Sequence, residues 1–186
     1  MSEPKRVVVI GAVACGAKAA SRLRRLDGTV QITMIDQGRY VSYAGCGLPY
    51  YVEGKVKEID ELLKTTYDRI RDEDYFRKVK EIDVLTGTKA TRIDRERKVV
   101  DTVRIDTGEE AQIPYDKLVL AMGAAPVPPP IEGLDLGGVH YLTTMEDAQA
   151  VHDIVESKES GSAVVIGGGF IGIESAEALA ARRWDV

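Results

Sequence analysis

Val7-Val8-Val9-Ile10-Gly11-Ala12-Val13-Ala14-Cys15-Gly16 is the stretch on which the fold turns. Its β-branched opening, without polar alternation, predicts a strand covered on both faces. The glycine-punctuated run that follows predicts a tight turn into a helix. That helix reads through Leu26, with Gly16, Ala17, Ala19 and Ala20 forming a small-residue face suited to close packing on a sheet. Asp27-Gly28 ends it. A second strand reads at 30–35, with Asp36 at its carboxyl end. Strand, loop, helix and strand within about thirty residues make a βαβ unit and imply a parallel sheet.

The loop has the outline of a dinucleotide turn. In G-x-G-x-x-G the first glycine makes the turn, the second admits a pyrophosphate, and the third lets helix and sheet approach. Gly11 and Gly16 hold the outer positions, while Val13 replaces the middle glycine and Ala14 follows it. The pyrophosphate would rest on the helix N-terminus, where free N–H groups favour anions. Asp36, followed by Gln37, is placed to accept ribose hydroxyls.

The same pattern recurs near the end. A strand is predicted at 163–166, then Gly167-Gly168-Gly169-Phe170-Ile171-Gly172, then a helix through Arg182 that carries Glu174 near its start. All three fingerprint glycines are present here. The internal repeat divides the chain into a first domain at 1–158 and the start of a second at 159–186. The next strand is expected just past Val186, so the chain reads as a fragment. The acid that separates NADH from NADPH would lie in the missing part.

Composition bounds the rest. A 44% hydrophobic content supports a sizeable core, and a net charge of −5 argues against a general nucleic-acid or anionic-membrane binder. Two cysteines, Cys15 and Cys46, and two histidines, His140 and His152, predict neither a disulfide scaffold nor a metal centre. No apolar run is long enough to span a membrane. Lys5-Arg6 before the apolar run ending at Cys15 imitates an export signal, but the run is short and reads better as a buried strand. The expected compartment is therefore the cytoplasm, where thiols stay reduced.

Between the repeats, residues 40–51 form a cysteine segment in which Gly45, Gly47 and Pro49 break any long helix early. A short helix is expected at 60–63 and an amphipathic, solvated one at 67–80. A strand follows at 83–86, then an antiparallel meander at 89–94, 98–104 and 111–113, then a buried strand at 117–120. A helix is expected at 145–157, beginning near Thr144. Lys18, Arg22 and Arg25 share a face of the first helix, with Arg24 beside them, and would suit a phosphate-bearing ligand. Cys15 reads as a small packing residue. Cys46 reads either as a reactive thiol or as a buried inert one.

The chain resembles the N-terminal part of the pyridine nucleotide-disulfide oxidoreductases, specifically the single-cysteine branch of coenzyme A-disulfide reductases and NADH oxidases or peroxidases. Residues 9–16, 42–51, 115–124 and 164–174 carry the resemblance. Dithiol members have a second cysteine five positions after the first, where this chain has Tyr51. Cys46-Gly47-Leu48-Pro49-Tyr50 looks more like the coenzyme A-disulfide reductases, although Gly45 stands where many of them carry asparagine.

The resemblance implies an α/β, Rossmann-like FAD-binding domain with a parallel sheet and a three-stranded antiparallel meander, plus the truncated start of a second Rossmann-like domain. It implies that Gly11, Val13, Ala14, Gly16, Asp36 and Gln37 hold FAD, with Ala121 and Gly123 in a turn beside the flavin. Gly167, Gly169, Phe170, Ile171, Gly172 and Glu174 would open the NAD(P)H site. Cys46 would receive the electrons and attack a coenzyme A disulfide or a related persulfide or polysulfide. Lys18, Arg22, Arg25, Ser42 and Lys80 match coenzyme A contacts. Relatives dimerise through a C-terminal domain, so the parent is expected to be a homodimer and the fragment to retain flavin weakly and lack activity. An NADH oxidase or peroxidase cycling through a sulfenic acid, or a non-catalytic dinucleotide-binding module, are the alternatives.

Overall fold

Parallel strands form the larger sheet in the computed structural model, which describes residues 3–186. In chain order the elements are β1 (Arg6–Ile10), α1 (Cys15–Leu26), β2 (Gln31–Ile35), α2 (Leu48–Glu53), α3 (Glu73–Lys80), β3 (Asp83–Leu85), β4 (Thr88–Asp94), β5 (Val99–Arg104), β6 (Glu110–Pro114), β7 (Lys117–Leu120), α4 (Met145–Glu156), β8 (Gly161–Ser162), α5 (Phe170–Ala181) and β9 (Trp184–Asp185). Short 3-10 turns occupy Gly45–Gly47 and Ile59–Leu63. Contacts divide the chain into two units: Met1–Tyr43 with Leu63–Gly123, and Ala44–Leu62 with Ala124–Val186.

In the first unit the strand order is β3-β2-β1-β7, all parallel. The period of two sends alternate residues of β1 to opposite faces. Val7 and Val9 pack with Ala17, Ala20, Met34 and Phe76, so α1 and α3 cover that face. Val8 and Ile10 pack with Ile35, Val100 and Tyr115 on the other, beneath the antiparallel meander β4-β5-β6. Val8 and Val9 are each 1% exposed. Full burial of such a side chain stabilises by about 1.5–3 kcal/mol, which is why the opening run cannot slip register cheaply.

The amphipathic helix expected at 67–80 is shorter than its charge pattern implied. Asp68 has φ 59°, Thr65 N–H donates to the Arg69 carbonyl, and Lys64 bridges Ile70. That turn commits residues 64–70 to another geometry. Asp72 then caps α3 by accepting the Tyr75 N–H at 2.7 Å. Arg24 crosses from α1 to the far end of α3, donating to the carbonyls of Lys80 and Glu81 at 3.2 and 2.7 Å. It therefore serves as a brace.

In the second unit, α4 starts where expected, with a reciprocal capping box between Thr144 and Asp147. Pro49 lies in the first turn of α2, where its missing N–H costs no helical bond. It admits the helix, and Gly54 at φ 85° ends it. The strand expected at 163–166 does not form. β8 pairs in parallel with β9 over two residues, and the last ladder bond runs from Ala163 N–H to the Asp185 carbonyl. Beyond it Val164 and Ile166 find no pairing partner and are exposed. The strand expected after Val186 begins earlier, at Trp184. Among the described residues no helix is long and apolar enough to cross a membrane.

Candidate functional site

The first glycine loop is built from two close approaches. Gly11 has φ 99°, and a Cβ there would overlap the Ala121 carbonyl, itself held by the Ala121 N–H to Ile10 carbonyl bond of 2.7 Å. A Cβ on Gly16 would overlap the Gly11 carbonyl. Only glycine at both positions lets the turn fold back onto the start of α1. Ala14 occupies the N-cap position without any side-chain cap, so the first-turn N–H groups of α1 have no side-chain acceptor. Val13 is half-buried and Ala14 exposed.

Asp36 closes the other side. Its Oδ2 accepts the Ala12 N–H at 2.6 Å and its Oδ1 the Gly38 N–H at 2.8 Å. Each carboxylate oxygen keeps a lone pair for a further donor such as a sugar hydroxyl. Gln37 is exposed beside it. Ala121 is half-buried next to Gly11, and Gly123 is exposed with φ 68°. An uncapped helix start, a glycine turn and an acceptor at the end of β2 suit the pyrophosphate and ribose of a dinucleotide, so this cradle fits the ADP half of FAD.

A groove with about 450 Å³ of free volume lies beside this loop, between α1, Ser42-Tyr43, residues 65–71 and α3. Lys18, Arg25, Ser42 and Lys80 line it, so four of the five expected ligand contacts come together. Arg22 is exposed on α1 and does not line it. Arg71 and Tyr75, within the solvated helix expected at 67–80, line it too. Arg71 Nε donates to the Leu63 carbonyl at 2.9 Å, and Lys80 Nζ sits 5.8 Å from the Tyr75 ring centre. The signal that could have found Arg71 is Asp72 followed by two acids, a helix start that puts Arg71 outside α3. Ser42 adopts φ 54° while donating its N–H to the Ala12 carbonyl at 2.9 Å. A non-glycine residue in the left-handed region is a recurrent mark of functional loops. On a chain of net charge −5, Lys18, Arg25, Arg71 and Lys80 form a local basic site.

In the second unit, Gly172 repeats the first loop's contact. A Cβ on it would overlap the Gly167 carbonyl, and Gly167 has φ 123°. Gly169 caps α5 without a side-chain bond, Phe170 and Ile171 are exposed, and Glu174 is half-buried. The arrangement fits a second dinucleotide. Cys46, in the turn that leads into α2, is free and exposed. Cys15 is also free and exposed at the start of α1, against the expectation of a packed thiol. Among the described residues no cluster of three or more His, Cys, Asp or Glu could hold a metal ion.

A family model described as pyridine nucleotide-disulphide oxidoreductase matches residues 5–186. The chain is 37% identical to a Methanocaldococcus jannaschii protein named NADH oxidase, over 97% of this chain and 39% of that one. It is 35% identical to the coenzyme A disulfide reductase of Staphylococcus haemolyticus, over 98% and 39%. A solved NAD-dependent persulfide reductase from A. fulgidus superposes with a TM-score of 0.90 at 53% identity, covering 96% of this chain and 32% of that one. The chain thus spans about two-fifths of the length of these curated relatives.

Proposed function

This chain belongs to the pyridine nucleotide-disulphide oxidoreductase family, and from that membership we propose that the whole protein is an FAD-dependent NAD(P)H oxidoreductase that reduces coenzyme A disulfide or a related persulfide or polysulfide through Cys46. The observation that carries the reading is the basic groove. Lys18, Arg25, Arg71 and Lys80 supply ammonium and guanidinium donors, and Tyr75 an aromatic face, around one cleft. Phosphate oxygens and a purine are what such a wall recognises.

A bound FAD would supply two-electron transfer between nicotinamide and sulfur. The loop of Gly11, Val13, Ala14 and Gly16 would hold its pyrophosphate, Asp36 and Gln37 its ribose, and Ala121 and Gly123 would form the adjoining turn. Gly167, Gly169, Phe170, Ile171, Gly172 and Glu174 would open the pyridine nucleotide site. The Cys46 thiolate attacks one sulfur of the disulfide, forming a Cys46–S–S–CoA bond and expelling one coenzyme A thiolate, which takes a proton from solvent. Two electrons and one proton then cleave that bond, restoring the thiolate and releasing the second coenzyme A thiol. Cys46 is exposed, as attack on an external disulfide requires.

Cys46→Ser in the full-length protein tests this. Disulfide reduction disappears while flavin stays bound; full turnover by the variant overturns the assignment. The jannaschii relative named NADH oxidase supports a second reading, in which Cys46 cycles through a sulfenic acid with oxygen or peroxide as acceptor. Turnover with oxygen or peroxide against coenzyme A disulfide separates the two.

A further inference from the structure

The helix that follows Cys46 is held at its far end by a side chain that no motif marks. The 3-10 turn Gly45–Gly47 runs directly into α2, with the Leu48 N–H donating to the Gly45 carbonyl. α2 has six residues, too few to keep a helical shape unaided in water. Its geometry depends on what grips its two ends. At the front, Ala44 N–H donates to the Leu62 carbonyl at 2.9 Å and Gly47 N–H to the Ala44 carbonyl at 2.8 Å. At the back, His152 Nδ1 lies 3.0 Å from the Tyr51 carbonyl, in the last turn of α2. The imidazole also stacks on the Tyr51 ring, with centroids 4.2 Å apart and planes at 25°.

His152 is itself held within α4 and α5. Its Nε2 is 4.0 Å from Glu156 Oε1, which accepts from Arg182 Nη2 at 2.6 Å. Arg182 Nη1 lies so close to Gly54 that a Cβ there would come within 2.6 Å of it. The carboxyl ends of three helices thus meet around one imidazole and one guanidinium, and the Tyr51 carbonyl accepts both the Gly54 N–H at 3.0 Å and the His152 Nδ1–H.

We propose that His152 is a positioning residue for Cys46: its Nδ1–H pins the end of α2, and the pinned helix sets how the thiol is presented. This rests on the reading of Cys46 as the nucleophile. A carbonyl can only accept, so Nδ1 carries the proton in this contact.

The test is the rate at which iodoacetamide alkylates Cys46 in the full-length protein, read on the Cys46 peptide so that Cys15 does not interfere. His152→Phe keeps a ring over Tyr51 and removes the donor. His152→Asn puts an amide N–H near the Nδ1 position, and His152→Gln puts one where Nε2 was. The Phe and Gln variants are expected to change the rate by roughly fivefold or more, and Asn to return it to within about twofold of the parent. The kcat falls in the same order with KM for NADH unchanged. Equal alkylation rates in Asn and Gln, or a parent-like rate in a folded Phe variant, overturn the proposal. Should the Phe variant not fold, the Asn–Gln comparison decides. Alkylation does not require turnover, so this result stands apart from the Cys46→Ser assay that tests the nucleophile.

Discussion

Asp36 and Ala12 are joined by a 2.6 Å hydrogen bond in which the backbone N–H of the turn donates to the carboxylate at the end of the neighbouring strand. One carboxylate thus shapes the turn and keeps acceptor capacity for a ligand. Asp36→Asn leaves a single acceptor oxygen for two N–H donors. Flavin retention by the full-length protein is expected to weaken at least tenfold, equivalent to about 1.4 kcal/mol. Equilibrium dialysis or the flavin absorbance retained on gel filtration reads the loss, and unchanged retention contradicts the role.

The groove separates cations of one helix that look alike in sequence. Arg25→Ala or Lys80→Ala should raise KM for coenzyme A disulfide roughly tenfold, as expected for loss of one charge-assisted phosphate contact. Arg22→Ala should change it by less than about twofold, since an exposed charge off the wall contributes little. Steady-state kinetics at two salt concentrations checks both; an Arg22 effect as large as that of Arg25 would contradict the geometry.

Ser42 gives a prediction with opposite signs in two measurements. Ser42→Gly relieves the left-handed backbone, a gain of about 1 kcal/mol set against some lost chain entropy. The same change removes a hydroxyl from the groove. The variant should be at least as resistant to urea as the parent while binding the disulfide more weakly. A variant that loses stability and keeps its KM reverses the expectation.

Acid should weaken α4 at a named residue. Burial pushes the Asp147 carboxyl up, but the hydroxyl and N–H of Thr143 and the N–H of Thr144 outweigh it and hold it below the usual carboxylate range. A carboxyl lowered on folding stabilises above its unfolded pKa, and that contribution is lost as pH falls through the folded value. Asp147→Ala should cost about 1 kcal/mol at pH 7, the usual scale of a lost cap. The gap between variant and parent should close below about pH 4. Urea titrations across pH 3–7 (an interval spanning about the carboxylate range) read it, and a gap that stays constant would disprove the account.

Legibility tracked how local the cause was. β1, α1 and β7 end where the residues said they should, because a β-branched run, a small-residue face and a glycine turn act within a few positions. α3 starts later than its charge pattern implies because that helical period runs through a turn closed by the backbone bond between Thr65 and Arg69. The missing strand at 163–166 has the right residues but no paired backbone beyond Asp185. In the site, glycines and Asp36 were visible as a pattern. Arg71, Tyr75 and His152 were not, since each matters through a partner distant in sequence: Arg71 and Tyr75 across the groove, His152 against Tyr51.

Gly16 rests on the carbonyl of Gly11, and Gly172 rests on that of Gly167, across the same five-residue interval. The helix nevertheless takes over at different points, at the fifth residue (Cys15) in the first turn and at the fourth (Phe170) in the second. Transplanting one hexapeptide into the other's seat would trade Ala12, Val13, Ala14 and Cys15 for Gly168, Gly169, Phe170 and Ile171, and Ala12 is fully buried, so the exchange would reach the core of the first unit.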